Sequence, residues 1–240
     1  INNGNADRMS ALTYDVSAPL VKRGHERADA LNRLVQSVRN FAKDMETCRG
    51  LNIINASNIK EVIKNLQSVN AILEGGESEA SVQELLIPVF NKIRDMVKGY
   101  DTVKMNIENG FKAVDWCLEH RLFQQAVTIL QESVKNHFCL MMKYDLKDDN
   151  SRKDIEARLK MACYRNPTML PLEFGEPKGA TDWSVAMVDV ASDYETLRNL
   201  RNDFNHSGFN YQPSSPSDIE ETIRKKCESI KERLNICSSI

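Results

Sequence analysis

Apolar side chains return at three- and four-residue spacing along most of the chain, the period of one face of an α-helix. Between about Arg8 and Arg49 the repeat runs through Leu20, Ala28, Leu31, Val35, Val38, Phe41 and Met45, and Pro19 and Gly24 divide it into two helices. His25 sits in that repeat but among Lys22, Arg23, Glu26 and Arg27, which marks it as a surface residue. The polar residues Ile1 to Asp7 are expected to be loose. Gly50 closes this unit. Asn55 to Ser57 can cap a next helix, which carries Ile59, Ile63, Leu66, Val69 and Leu73 on its apolar face. Gly75-Gly76 stops it, and Ser81-Val82-Gln83-Glu84 reads as a capping box for a helix to about Tyr100, with Pro88 as a kink.

The densest apolar stretch is Asn106 to Tyr144. Phe111, Val114, Trp116, Cys117, Leu118, Phe123, Ala126, Leu130, Val134 and Phe138 predict two packed helices, with His120-Arg121 as the turn between them. Lys147 to Asn150 is a charged break, after which Ser151 can cap a short helix to about Tyr164. Asn166 to Ala180 (NPTMLPLEFGEPKGA) is punctuated by proline and glycine and reads as the longest loop, a length that often serves function. Asp182 can cap the helix that follows. Ser215-Pro216-Ser217-Asp218 starts a last helix, with Pro216 at its first position and Ile219, Ile223, Cys227, Ile230 and Leu234 inward. No strand-type alternation, internal repeat or low-complexity tract stands out. The expectation is an all-α fold.

Composition narrows the classes. The 240 residues suffice for one large or two small domains, and an apolar content of 41% supports a sizeable core. A net charge of −2 leaves no global basic footprint, which argues against a generic duplex-DNA binder but allows a local anion site. The six cysteines form no C-x-x-C pair and read as reduced, mostly buried thiols of a cytoplasmic protein. No apolar run reaches the roughly 20 residues of a membrane span, and no signal-peptide pattern is present. The first residue, Ile1, raises the expectation of a fragment or part of a longer protein. The four histidines are scattered with no carboxylate cluster at ligand spacing, so no metal and no cofactor is expected. No Gly-x-Ser-x-Gly, P-loop or zinc-finger spacing appears.

One segment breaks the pattern. Leu197 to Phe209 reads LRNLRNDFNHSGF and carries arginines, asparagines, an aspartate and a histidine on an otherwise helical repeat. At about 100° per residue, Val190, Tyr194, Leu197, Leu200 and Phe204 form one apolar stripe. Arg201 falls inside that stripe, where burial of a guanidinium costs several kcal/mol unless it is paired or near water. It therefore faces a carboxylate, such as Asp115, or a polar cleft. Beside it lies a wedge of Asn205, Arg198, Asn202 and His206. Ser207-Gly208 supplies the stop, with Gly208 as the expected C′ residue and His206 in the last turn, where the helix dipole favours a cation.

The string resembles the signature of the HEPN superfamily of metal-independent ribonucleases: Arg, then Asn, Asp or His, a short spacer, then His. Arg201, Asn202 and His206 fit it, and the longer RNDFNHSGF looks like the HEPN effectors of type III CRISPR systems, which cyclic oligoadenylate switches on. The preceding DWCLEHRLFQQAVTILQE is similar to helices ahead of that motif. The resemblance implies a HEPN-type helical bundle over residues 106–240, with 1–105 as an N-terminal helical extension or connector. It implies an endoribonuclease that cuts single-stranded RNA at a site composed across a homodimer. The α/β sensor domain that usually precedes the nuclease has no counterpart pattern here, so cyclic oligoadenylate would act only through a domain not seen in this chain. RNA cleavage needs the 2′-hydroxyl deprotonated, the phosphorane charge held and the 5′-oxygen protonated. On the resemblance, His206 moves protons, Arg201 clamps phosphate oxygens and Asn202 orients the ribose or the imidazole, with Arg198 and Asn205 as flanking substrate contacts. Two other readings fit the same residues: a catalytically silent module binding a nucleotide or partner, and a standalone HEPN toxin neutralised by a partner protein.

Overall fold

The computed structural model describes residues 3–74, 80–164, 183–209 and 212–236. These form an all-α chain, with no strand among the described residues. No described helix is long and apolar enough to cross a membrane. The chain divides into two compact units, Ile1–Asn109 and Gly110–Ile240.

The first unit holds α1 (Asn3–Val21), α2 (Glu26–Glu46), α3 (Gly50–Ile54), α4 (Ser57–Glu74) and α5 (Ala80–Val97). Helix α2 packs against both α1 and α4. Its inward face is Ala30, Leu34, Val38, Phe41 and Met45, which meets Ile59, Val62, Leu66 and Val69 of α4 in the core. Leu34, fully buried, takes the place expected of Leu31, which is only half-buried, and Leu20 is exposed. The expected loose start is instead helix from Asn3. Asp7 holds Arg39 of α2 and lies 3.8 Å from Lys43, and this pairing keeps its carboxyl below the usual carboxylate range. Gly24, at φ +78°, ends α1, while Pro19 is accommodated inside its final turns. Helix α5 starts at Ala80, one residue before the expected cap, and Gly75-Gly76 falls outside the described residues.

The second unit is built on α6 (Glu108–Glu119), α7 (Phe123–Met141), α8 (Asp149–Tyr164), α9 (Trp183–Asn205) and α10 (Pro216–Arg233). Helix α7 is central: α8, α9 and α10 all pack on it, and Ala126, Leu130, Val134 and Phe138 are fully buried. Arg121, at φ +59°, makes the turn between α6 and α7 where His120-Arg121 was expected to. The α8 start differs from expectation. Asp148, not Ser151, is the capping group, and its carboxylate accepts the Ser151 N–H at 2.8 Å and hydroxyl at 2.6 Å. The 166–180 loop and Asp182 lie outside the described residues. Helix α10 begins as expected, with Ser215 at the cap and Pro216 first, but it ends at Arg233 rather than near Cys237. Among the described cysteines all are free thiols. Cys117, Cys139 and Cys227 are buried, and burial pushes the Cys227 thiol up to about 12.

Gly110 sets the close approach of α6 to α7. A Cβ there would lie 2.2 Å from Ser133 Oγ, a hydroxyl that itself donates to the Ile129 carbonyl at 2.8 Å. Gly110→Val is expected to destabilise the protein by about 1–3 kcal/mol, the usual cost of overpacking. Gly110→Ala combined with Ser133→Ala should recover most of it, since the offending oxygen is gone and alanine favours the helix. Chemical denaturation of the variants checks both, and an unchanged midpoint for Gly110→Val would refute the close packing.

Candidate functional site

Helix α9 carries the motif on a face framed by α7, α8 and α10. Its apolar stripe is as the periodicity requires: Val190, Tyr194, Leu197 and Leu200 are buried, and Phe204 is half-buried. The helix stops by a left-handed turn. Gly208 N–H reaches the Asp203 carbonyl at 3.0 Å, and Ser207 N–H reaches Phe204 at 3.0 Å. Ser207, at φ +53°, is thus the C′ residue, and Gly208, at φ +74°, is the one after it, which corrects the expected assignment by one. His206 is correspondingly the C-cap, one residue past the last helical residue Asn205, and its side chain is exposed.

Arg201 does face a carboxylate, but not Asp115, which is taken by Lys231 at 2.7 Å. Its neighbour is Glu132 of α7, 4.0 Å from Nη1, and the guanidinium is 27% exposed. Glu132 is shared. Lys135 approaches it at 2.5 Å, and Arg152 of α8 is bonded to it more closely still. Arg201 Nε is buried with no hydrogen-bond partner among the described residues. Glu156 lies 3.9 Å from Lys135, so two carboxylates face three cations, and Arg201 is the most distant of the three from Glu132. Tyr194 lies in the same surroundings. Burial, then Glu156 and Glu132, hold its phenol well above its ordinary range, so it is not a proton carrier near neutrality.

The polar wedge splits into two sides. Arg198 is bound by Glu195 one turn back on its own helix, at 2.5 and 2.8 Å. Asn205 accepts from Gln124, at the start of α7, at 3.4 Å. Asn202 and His206 turn the other way, into an open groove of about 590 Å³. Asn199 and Asp203 of α9, Gln212 and Ser214 of the connecting segment, and Thr222 of α10 also line it. Arg201 is not among the lining residues. Five residues at about 100° each separate Arg201 from His206 by about 140° around the helix. Asn202 and His206, four apart, share a face. One chain therefore brings together Asn202 and His206 but does not add Arg201 to their groove.

Asp203 was not singled out by the sequence pattern, yet it fixes one groove wall. It is buried, and its carboxylate accepts the Ser214 N–H at 2.7 Å. Its position inside RND, between the motif residues, was the available signal. Glu195 was legible too, three residues before Arg198, whereas Glu132 could be found only from the packing. Asp203→Ala removes a charge-assisted hydrogen bond and is expected to cost about 1.5–3 kcal/mol. The Ser214 amide should then exchange with solvent faster while the amides of α7 keep their protection. Unchanged exchange at Ser214 would show that the wall is held by something else.

No protein-family model, curated protein or solved structure matches this chain. Among the described residues no three His, Cys, Asp or Glu side chains are grouped as a metal site would need.

Proposed function

We propose that the chain is an endoribonuclease of the HEPN type that cuts single-stranded RNA without a metal. The observation that carries this reading is the placement of Asn202 and His206 side by side on an open polar groove. They sit at the end of a helix whose Arg201 keeps charge that Glu132 does not fully absorb. An imidazole can relay protons between the 2′-hydroxyl and the leaving 5′-oxygen. An amide can orient the ribose, and a guanidinium can hold two phosphate oxygens at once. RNA supplies its own nucleophile, so no further reactant is needed. The products are a 2′,3′-cyclic phosphate and a 5′-hydroxyl.

Because Arg201 and His206 diverge around α9, a phosphate touched by both requires a second motif. A homodimer with two α9 ends facing one cleft supplies it, each chain offering Arg201 to the other's His206. In this reading the protein is an antiviral accessory effector of a type III CRISPR system and acts in the cytoplasm. Cyclic oligoadenylate control would be read by a sensor domain not seen in this chain. The test is cleavage of single-stranded RNA in excess EDTA with the product ends mapped, together with the mass in solution. No cleavage under any condition, or a strict monomer that cleaves, would sink the composite site.

A second reading has its own support. Arg198 is fully engaged by Glu195, and Arg201 has a carboxylate within 4.0 Å. Those are features of a silent module that binds RNA or a nucleotide through the same groove. Tight binding of an RNA that is never cut separates it from the enzyme.

A further inference from the structure

Phe209 follows the groove residue His206 by three positions and has 91% of its surface in water. A single exposed apolar side chain is ordinary. Here the setting is not. Ser207 and Gly208 fold the backbone through left-handed conformations, and the Phe209 N–H donates to the His206 carbonyl at 2.9 Å. Ring and imidazole thus leave opposite ends of one tight turn. The chain then continues to Gln212 and Ser214 in the groove wall.

The groove itself is equipped for only part of a nucleotide. Among the described residues its lining is amides, hydroxyls, a carboxylate and an imidazole, with Leu200 as the sole apolar member. Such groups suit ribose and phosphate, and the one ring among them, the His206 imidazole, is given to proton transfer in this reading. Single-stranded RNA is gripped in general by aromatic faces on which unpaired bases stack. We propose that Phe209 is that face: it stacks on the base next to the phosphate lying at Asn202 and His206. This rests on the ribonuclease reading and adds a specificity to it. Every base has a π surface, so the contact tolerates sequence, but it requires an unpaired base. Duplex RNA, whose bases are already stacked on one another, is discriminated against.

The experiment uses the full chain and an oligonucleotide carrying a 2′-deoxy sugar at the cut site, which cannot react. Phe209→Trp places an emitter at the position, and the native Trp116 and Trp183 are 5% and 3% exposed, so their signal stays flat. Saturable quenching by this oligonucleotide is expected, and an otherwise identical one with abasic sugars beside the cut site should give little. In cleavage of ordinary single-stranded RNA, Phe209→Ala is expected to raise KM about 10- to 100-fold with kcat nearly unchanged, and Phe209→Trp to restore it. Equal quenching by the abasic strand, or an unchanged KM in Phe209→Ala, overturns the proposal. So does conversion of Phe209→Ala to a monomer, which would make the ring a subunit contact. The two readings fail separately: full cleavage by His206→Ala removes the ribonuclease site at this motif, whereas the quenching is read on a strand that is never cut.

Discussion

In excess EDTA, His206→Ala is expected to cut single-stranded RNA about 10²–10⁴-fold more slowly than the unaltered chain, the usual worth of a positioned proton-transfer group. The side chain is exposed at a helix C-cap and the described hydrogen bonds at this residue are made by its backbone, so the variant should fold and melt as the parent does. Arg201→Lys should fail comparably, because an ammonium carries the charge but not the planar fork that spans two phosphate oxygens. A substrate with a 2′-deoxy sugar at the cut site should resist, having lost the nucleophile. The divergence of Arg201 and His206 around α9 adds a sharper expectation. Each variant alone lacks one kind of group on both sides of a shared cleft. A mixed dimer of the two retains one His206 and one intact Arg201, so mixing after subunit exchange should return part of the activity. Full activity in His206→Ala would mean that this motif is not the site. Activity abolished by EDTA, or cleavage of the 2′-deoxy substrate, would mean a different mechanism. Failure of the mixed dimer would place the whole reaction within one chain.

How much of this could be read in advance follows from what periodicity measures. Burial of one face fixes the apolar repeat, and so the all-α class, the α6–α7 hairpin, the stripe of α9 and the inward face of α10 were all legible. Helix ends were less so, for an identifiable reason. Glycine is the residue that favours such a stop, and it serves at Gly24, whereas Gly50 opens α3 instead of closing α2. The same left-handed closure is made by Cys48, Arg121, Lys143, Ser207 and Asn235, at φ between 52° and 59°. A residue other than glycine costs roughly 1 kcal/mol there. The price is met by the paired backbone bonds of the turn, such as Gly208 to Asp203 and Ile236 to Lys231. Those bonds leave no mark in composition. In the candidate site, helical phase put Asn202 and His206 in one polar wedge with Arg198 and Asn205, and the HEPN resemblance singled the pair out; the packing splits that wedge. The partner of Arg198 was legible as an i,i+3 pair with Glu195, but that of Arg201 was not, because a long-range ion pair joins whichever carboxylate the packing brings near. Asp115 and Glu132 are equally acidic in the sequence, and only the arrangement of α6 with α10 and of α7 with α9 decides that Lys231 takes the first and Arg201 approaches the second.

The largest effect on stability is expected from Lys226→Met. Asp193 of α9 is a carboxylate only 7% exposed, on the buried side of the helix that also carries Val190 and Leu197. Lys226 of α10 reaches it at 2.6 Å and Ser229 donates to its other oxygen at 2.6 Å. Removing the lysine leaves a buried anion with one hydroxyl for company, and breaking a buried pair in this way costs about 3–5 kcal/mol. The reverse change is milder. In Asp193→Ala the lysine, 29% exposed, can turn its ammonium to water, so the expected loss is about 1–3 kcal/mol. Replacing both, as Asp193→Leu with Lys226→Met, swaps the pair for apolar contact and should return the protein close to its starting stability. The consequence reaches the groove, because Thr196 and Thr222 in its lining lie one turn from Asp193 and from Lys226. The clamp joins the two helices that carry the groove's Thr196 and Thr222, and Asn202 and His206 line the same groove. On the ribonuclease reading, Lys226→Met below its melting temperature should bind single-stranded RNA more weakly than the parent, and the double variant should not. Denaturant titrations give the stabilities. An equal cost for the two single variants, or a double variant no more stable than Lys226→Met, would show that Asp193 is not held as a buried charge.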